Sequence, residues 1–573
     1  MCRLTFDFTD HNGKKNPILF KDPLEIIDAT CIEEVKPALK KIQEAIDSGF
    51  YAAGYLSYEA APAFDNAYQV NSDSKMPLLW FGIFQDAIHE IESKKASYNV
   101  SEWKPTVGIE EYNSNIDRIK NHIKLGETYQ VNYTIRMESE FEGDATAFYN
   151  HLASAQTSDY SAYMDIGDFS ILSASPELFF KIRNGKITTK PMKGTIGRGK
   201  SYSEDLKNAE WLHQSEKNRA ENVMIVDLLR NDLGMIAKPG SVKVPRLYSI
   251  EKYPTVYQMT STVTAEIKDG TKILDIFNAL FPCGSITGAP KVSTMKIIST
   301  LEPSPREVYC GTMGYITPNQ EAIFNVPIRT VIIDNRDGSA QYGVGGGITW
   351  DSTKQGEYEE ILQKTKLLTM DKCDFQLLET LGLIDGKYIV LDYHLERLEN
   401  SAAYYNFQID LAQVRKRLIK FAESLPKDEY RVRLLVSADG EISIESNVAT
   451  VLDKPVYVKL APNPINKQNE FLYHKTTNRT VYEKFDKTGV FDVLLWNEER
   501  EITEFTIGNV VIELNDKLYT PPVDCGLLAG TYRKYLLEEG IIMERKILLE
   551  EIHLCSKVWL INSVRKWVEV RFE

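Results

Sequence analysis

A lysine set between a proline and a glycine, Lys193 in Lys190–Thr195 (KPMKGT), is the first place in this chain where residue types and spacing suggest covalent chemistry. Pro191 fixes the backbone on one side and Gly194 permits close approach on the other. The amine becomes a nucleophile only when neutral, which requires burial or a nearby cation to lower its pKa from about 10. An isolated Lys-Gly is more often a solvated turn, so the surrounding residues decide. Glu177 follows Pro176 near a strand end, as a general acid or as a solvated turn residue. Glu221, on a helix expected over 215–233, shares a stripe with Lys217, Met224, Ile225 and Leu228; an acid there must be paired or must meet a cation. Glu357 and Glu360 are three apart on a later helix, a spacing that suits a hard cation and equally a solvated surface.

Two further stretches could hold anions. FPCGSITGAPKVSTMKII at 281–298 is a glycine-containing loop leading into a helix, without Walker A spacing. Arg329, read as lying on a strand over 322–334, could clamp a carboxylate while the glycines at 345–347 let backbone amides approach it. Past residue 374 lie a lysine in HKTTNR (474–479), an acid in EITEFTIGNV (501–510) and a Gly-Thr turn opening a helix in LLAGTYRKYL (527–536). Together these could hold an aldehyde, a pyridinium nitrogen and a phosphate.

The elements that must position these groups read as mixed α and β. IEEYNSNIDRIKNHIK from 109 is an amphipathic helix with Ile116, Ile119 and Ile123 inward. Ser215 is a good N-cap and Gly234 a good stop for the helix carrying Glu221. Around 368–374 the pattern resets across a short polar break, followed by strand, Asp-Gly turn, strand and a helix opening near His394. The expected organisation is 1–100 as the N-terminal part of the first fold, 101–371 as its catalytic domain and 372–573 as a second domain; 573 residues are too many for one core. A net charge of −14 with no basic stripe argues against nucleic acid as a partner. No apolar run is long enough for a membrane span and the N-terminus lacks a signal-peptide pattern, so a cytoplasmic protein is expected. Seven scattered cysteines, none spaced CxxC, suggest neither a disulfide framework nor a zinc site.

Residues from about 110 to 370 resemble the chorismate-utilising enzymes: SASPELFF, KPMKGT, EKNRAENVMIVDLLRNDLG, GSITGAPK, IRT, the GGGI glycines and GEYEE occur in that family's order. The lysine of PxKGT is similar to that of the aminodeoxychorismate synthase branch, where anthranilate synthases carry alanine. The last 200 residues resemble the class IV fold that uses pyridoxal 5'-phosphate (PLP), nearest to aminodeoxychorismate lyase and the branched-chain and D-amino acid aminotransferases. The fold class implied is α+β and α/β: an anthranilate synthase component I-like fold, then a branched-chain aminotransferase-like fold.

The resemblance implies roles. Lys193 would attack C2 of chorismate as the 4-hydroxyl leaves, and Glu177 would protonate that hydroxyl. Ammonia would then expel the lysine. Thr195, Ser285, Thr287, Arg329 and Gly345, Gly346 and Gly347 would hold the substrate, and Glu221, Glu357 and Glu360 would hold Mg2+. Gln258 stands where many relatives have histidine and takes no acid/base role, since an amide does not titrate. In the second domain Lys475 would be the Schiff-base lysine, Glu504 the acid facing the pyridine nitrogen, and Arg397, Thr531 and Ser563 the phosphate site. Strands that usually precede Leu378-Glu379-Thr380 are truncated, so that wall must come from the first domain or be missing. The implied function is bifunctional 4-aminobenzoate synthesis for folate, chorismate to 4-amino-4-deoxychorismate and then loss of pyruvate. Ammonia would come from a separate class I glutamine amidotransferase subunit, no glutaminase signature being evident; a homodimer through the PLP domain stays open. The competing readings are an anthranilate synthase component I fused to an aminotransferase, and a non-catalytic regulator that binds chorismate or PLP.

Overall fold

The computed structural model describes residues 2–9, 15–89, 96–369, 375–450, 452 and 455–573. The expected break at 368–374, with Cys373, falls mostly outside them. By internal contacts the chain divides into two units: Met1–Gly197 with Asn208–Lys372, and Arg198–Lys207 with Cys373–Glu573.

The first unit is built on two antiparallel sheets of ten strands each. Its site uses helix α1 (Ile109–Lys124) and strands β1 (Gln130–Gly143), β2 (Phe169–Ser175), β3 (Leu178–Arg183), β4 (Lys186–Lys190) and β5 (Met192–Gly197). Helix α2 (Glu216–Ile236), β6 (Val256–Glu266), α3 (Lys291–Leu301), β7 (Ala322–Asn325), β8 (Thr330–Asp334), β9 (Ser339–Ile348) and α4 (Lys354–Thr365) follow. In one sheet β1, β9, β8 and β2 are successive neighbours; in the other β5, β6, β4, β3 and β7 are. Leu4, Phe6, Ile171 and Ile332 of the first sheet pack in one apolar layer with Tyr55, Met313 and Ile323 of the second. Helices cover the outer faces: α1, α3 and α4 supply Ile116, Ile298 and Ile361 to the first sheet's outer core, and α2 supplies Val226 and Leu233 to the second's. The result is a helix–sheet–sheet–helix sandwich, the solution expected when each sheet must bury both faces.

Three local expectations change. Helix α2 runs through Gly234 to Ile236, because Leu233 and Ile236 are buried and packing outweighs the roughly 1 kcal/mol propensity cost of an internal glycine. The single strand read over 322–334 is two strands in different sheets, so Arg329 lies in the crossover at φ +52° and not on a strand. The Lys-Gly pair of KPMKGT, which taken alone suggests a solvated turn, lies within edge strand β5, Lys190 ending β4 and Pro191 joining the two.

The second unit carries a four-stranded sheet and an eight-stranded sheet. Strand β10 (Leu377–Ile384) pairs with β11 (Glu429–Val436), and α5 (Leu391–Tyr405) packs on them. In the larger sheet, β12 (Ile502–Phe505) lies near the cavity, followed by α6 (Thr531–Glu538), β13 (Lys557–Asn562) and β14 (Lys566–Phe572). Among the described residues no helix is long and apolar enough to cross a membrane. Cys31 is exposed and Cys2 and Cys555 half-buried.

Candidate active sites

Strand β5 pairs with β6 at Met192–Thr260 and Thr195–Gln258, and the register slips between them. Lys193 and Gly194 occupy that slip. A bulge re-aims a side chain, and here it turns Lys193 into a cavity of about 270 Å³. Gly194 sits at φ +91°, with Asn218 3.0 Å from where its Cβ would be, so both backbone angle and space favour glycine. Lys193 is 9% exposed. Burial lowers its pKa, against the opposing pull of Glu221 and Glu177, while Lys364 adds a like-charge push downward.

Glu177 reaches the same cavity from the turn between β2 and β3. Ser175 fixes that turn, its Oγ accepting from the Glu177 amide at 3.1 Å and donating to the Val326 carbonyl at 2.6 Å. Burial pushes the Glu177 carboxyl up to about 7, despite a 2.6 Å hydrogen bond donated by Ser285 and the nearby Lys193. A carboxyl protonated near neutrality and a lysine held below its usual range therefore share one cavity, the pairing that acid-assisted nucleophilic attack requires.

The other lining residues are cationic or amide-rich. Arg329 is buried, stacks 5.7 Å from the Tyr253 ring centroid, and among the described residues its Nη1 has no partner. Burial lowers its pKa. An orphaned buried guanidinium on a cavity wall fits an incoming carboxylate. Thr195 and Gly345–Gly347 also line the cavity, Thr195 donating to Gln258 at 3.1 Å. Thr287 does not: its hydroxyl donates to the carbonyls of Cys283 and Gly284. Gln258 holds the bulge, donating to the Gly194 carbonyl at 3.0 Å.

Glu221, Glu357 and Glu360 all line the cavity. Glu357 and Glu360 both approach Gly346, where a Cβ would lie 3.2 Å and 3.6 Å from their oxygens. Burial and the neighbouring Glu360 raise Glu357 to about 7; burial likewise raises Glu221. Burial would raise Glu360 too, but Lys364 at 2.7 Å holds it below the usual range. Among the described residues no three acidic, His or Cys groups are gathered closely enough to hold an ion by themselves. Mg2+ commonly takes one or two carboxylates and completes its shell with water and substrate, so the donor types fit a shared site.

Sequence reading missed Lys364, whose amine bonds both Glu360 and the Gly345 carbonyl at 2.7 Å. Its spacing of four from Glu360 and seven from Glu357 on α4 was the available signal. It also missed the partnership of the lysine in GAPK with the acid in RND: Lys291 and Asp232 form a buried 2.8 Å ion pair that ties α3 to α2.

The second unit has a cavity of about 300 Å³ lined by Lys475, Glu504, Arg397, Thr531 and Ser563, among others. Burial first, then Arg397, lower Lys475 to about 8. Glu504, buried at the end of β12, is pushed up to about 8 by burial despite hydrogen bonds from Tyr482 at 2.8 Å and Asn509 at 3.2 Å. Arg397 is gripped by Glu379 at 2.9 and 2.6 Å. His394, three residues earlier on α5, meets the same Glu379 at 2.6 Å, and its Nε2 meets Ser563 at 2.9 Å and Thr531 at 3.1 Å. This Glu379–His394 bridge was not foreseen; the i, i+3 spacing of His394 and Arg397 was its trace in the sequence. A neutralisable lysine, a buried acid, the Thr531 hydroxyl at the N-terminus of α6 and the Ser563 hydroxyl in the turn between β13 and β14 are the groups that an aldehyde, a pyridine nitrogen and a phosphate need.

The first cavity thus gathers a buried lysine of lowered pKa, a carboxyl raised to about 7 and, among the described residues, an unpartnered guanidinium nitrogen. Residues 89–370 match the chorismate binding enzyme family and residues 376–571 the amino-transferase class IV family. Aminodeoxychorismate synthase component 1 of Bacillus subtilis is 35% identical over 353 residues, covering 55% of this chain and 75% of that protein. The Salmonella typhimurium protein of the same name is 41% identical over 264 residues, 46% of this chain and 58% of its own length. Anthranilate synthase component I from Streptococcus pneumoniae superposes with a TM-score of 0.51 at 25% identity, over 64% of this chain and 90% of that one. The chain therefore belongs to the chorismate binding enzyme family and carries an amino-transferase class IV domain after it. It spans 58% of the length of several of its curated relatives.

Proposed function

We propose that the chain makes 4-aminobenzoate in two steps, at two sites. The observation that carries the reading is Lys193, buried in the first cavity beside an acid, Glu177, held protonated near neutrality. At this site chorismate loses its 4-hydroxyl as water: the Lys193 amine attacks C2, the two conjugated ring double bonds each shift one bond toward C4, the C4–oxygen bond breaks, and Glu177 supplies the proton to the departing oxygen. Ammonia then attacks C4, both double bonds shift back and the C2–nitrogen bond breaks, with one proton passing from the incoming nitrogen to the departing one; this returns Lys193 and gives 4-amino-4-deoxychorismate. Arg329, Thr195, Ser285 and the amides of Gly345–Gly347 hold and orient the substrate. Glu221, Glu357 and Glu360 would hold Mg2+, which supplies charge neutralisation at a substrate carboxylate. We assign ammonia supply to a separate class I glutamine amidotransferase subunit, in keeping with the relatives' designation as component 1.

At the second site, loss of pyruvate from 4-amino-4-deoxychorismate aromatises the ring. Lys475, Glu504, Arg397, Thr531 and Ser563 would hold PLP, which supplies an electron sink for the C4 carbanion. Lys475, its amine lowered to about 8 by burial, takes the C4 proton, and Glu504 would hydrogen-bond the cofactor's ring nitrogen.

The test supplies chorismate, ammonium, Mg2+ and PLP to the purified chain and separates the products by chromatography. 4-Aminobenzoate is expected from the wild type, and neither it nor its amino precursor from Lys193→Ala. Anthranilate as the wild-type product, or glutamate released from glutamine by the chain alone, would overturn the respective assignment.

A further inference from the structure

The mouth of the first cavity is framed by a corner in the chain. Among the described residues that line the cavity two are exposed, Trp211 and Lys217, and they mark where it meets solvent. Every other apolar or aromatic lining side chain is buried or half-buried. Trp211 lies in the last turn of the helix Tyr202–Gln214 and Lys217 in the first turn of α2, with Ser215 between them.

The backbone of this corner is fixed, but the indole is not. Leu212 is fully buried against Tyr257 and Met259, which share a face of β6 because they are two apart. Ser215 caps α2 by accepting from the Asn218 amide, and Asn218 stands 3.0 Å from where a Cβ of Gly194 would be, beside Lys193. Trp211 is 56% exposed, and among the described residues its indole makes no hydrogen bond or ring contact. A lone exposed aromatic is ordinary on a protein surface. This one edges a cavity where burial sets the state of both Lys193 and Glu177. A ring carried on two rotatable bonds can cross an opening at little entropy cost and without backbone movement.

We infer that Trp211 is a side-chain lid, which swings across the mouth once chorismate is bound and shuts bulk water away from the Lys193 adduct. The inference rests on the proposed reaction of the first site. In that adduct C4 is open to either nucleophile. If water attacks it, both ring double bonds shift back, the C2–nitrogen bond breaks and one proton passes from the water to the departing amine, which returns chorismate carrying a solvent oxygen at C4. Ammonia attack gives the amine instead. Closing a site over a reactive intermediate is a general means of suppressing its hydrolysis, and ammonia already inside then meets the adduct without competition.

The experiment gives the full chain chorismate, Mg2+ and varied ammonium in water enriched in heavy oxygen, and reads recovered chorismate and amine products by mass spectrometry. In Trp211→Ala the heavy-oxygen content of recovered chorismate should rise by about tenfold or more. The KM for ammonia should rise by the same factor, with the rate recovered at saturating ammonia. Trp211→Phe, which keeps a ring at the mouth, should stay within about twofold of the wild type. Trp211 is exposed, so both variants are expected to fold. Unchanged exchange and KM in Trp211→Ala would make the indole a bystander, and a lowered KM for ammonia would make it an obstacle to the nucleophile; either result overturns the lid. If the wild type neither aminates chorismate nor exchanges its oxygen, the reading of the first site fails on its own. Acrylamide quenching of the Trp211 fluorescence, taken as the difference between wild type and Trp211→Phe, then decides the lid: protection on adding chorismate and Mg2+ supports it, and no protection overturns it.

Discussion

Replacing Ser285 by alanine tests the central assignment at the first site through a single hydrogen bond. Ser285 Oγ donates to Glu177 Oε1 at 2.6 Å inside a buried cavity, and that bond favours the ionised carboxylate. Hydrogen bonds to charged groups contribute about 1.5–3 kcal/mol, and one pKa unit corresponds to about 1.36 kcal/mol. Removing the donor should therefore raise the Glu177 pKa from about 7 by roughly one to two units. A general acid works only while protonated, so activity is present below the Glu177 pKa and falls as pH rises through it. The basic limb of kcat/KM for chorismate, measured with free ammonia held constant, should move from near pH 7 to about pH 8 or above in Ser285→Ala. In Glu177→Gln that limb should vanish along with most of the rate. A limb that stays in place or moves to lower pH in Ser285→Ala would refute Glu177 as the acid.

Two other substitutions probe the scaffold. A Cβ at residue 347 would lie 1.9 Å from Gln130 Nε2 and 3.0 Å from Lys193 Nζ, both flexible side-chain ends. Gly347→Ala should therefore fold with an unchanged thermal transition yet lose kcat by on the order of a hundredfold as the amine is displaced; retained kcat would separate Lys193 from the reaction. Arg306 is fully buried, holding Glu302 at 2.9 and 2.6 Å and the carbonyls of Ile286 and Asn132 at 2.8 Å. Arg306→Met leaves Glu302 with Arg136 at 3.4 Å as its remaining ionic partner, and should cost about 3 kcal/mol or more in denaturant unfolding of the first unit. A cost under about 1 kcal/mol would show that the network is dispensable.

Much of the site could be read from order and type alone. The lysine of KPMKGT, the acid after Pro176, the acids at 221, 357 and 360 and the glycines at 345–347 line one cavity, although as many as 183 residues separate them in sequence. Helix α1 follows from its apolar spacing, and α2 from the N-cap Ser215, whose hydroxyl oxygen accepts from the Asn218 amide. Arg329 was placed on the wrong kind of element, because nothing in AIFNVPIRTVIID marks a chain crossing between sheets. Thr287 was implied by the family resemblance together with Ser285, but loop geometry turns its hydroxyl onto the carbonyls of Cys283 and Gly284.

The sequence by itself determined which functional groups this protein owns, since side-chain chemistry is local and motif spacing preserves it. Only the tertiary structure decided the state of those groups. A bulge between β5 and β6 buries Lys193, burial holds Glu177 and Glu504 protonated, Lys364 claims Glu360, and Glu379 gathers His394 and Arg397. Desolvation and charge proximity depend on distances between residues remote in the chain, and those distances exist only once the sheets have packed.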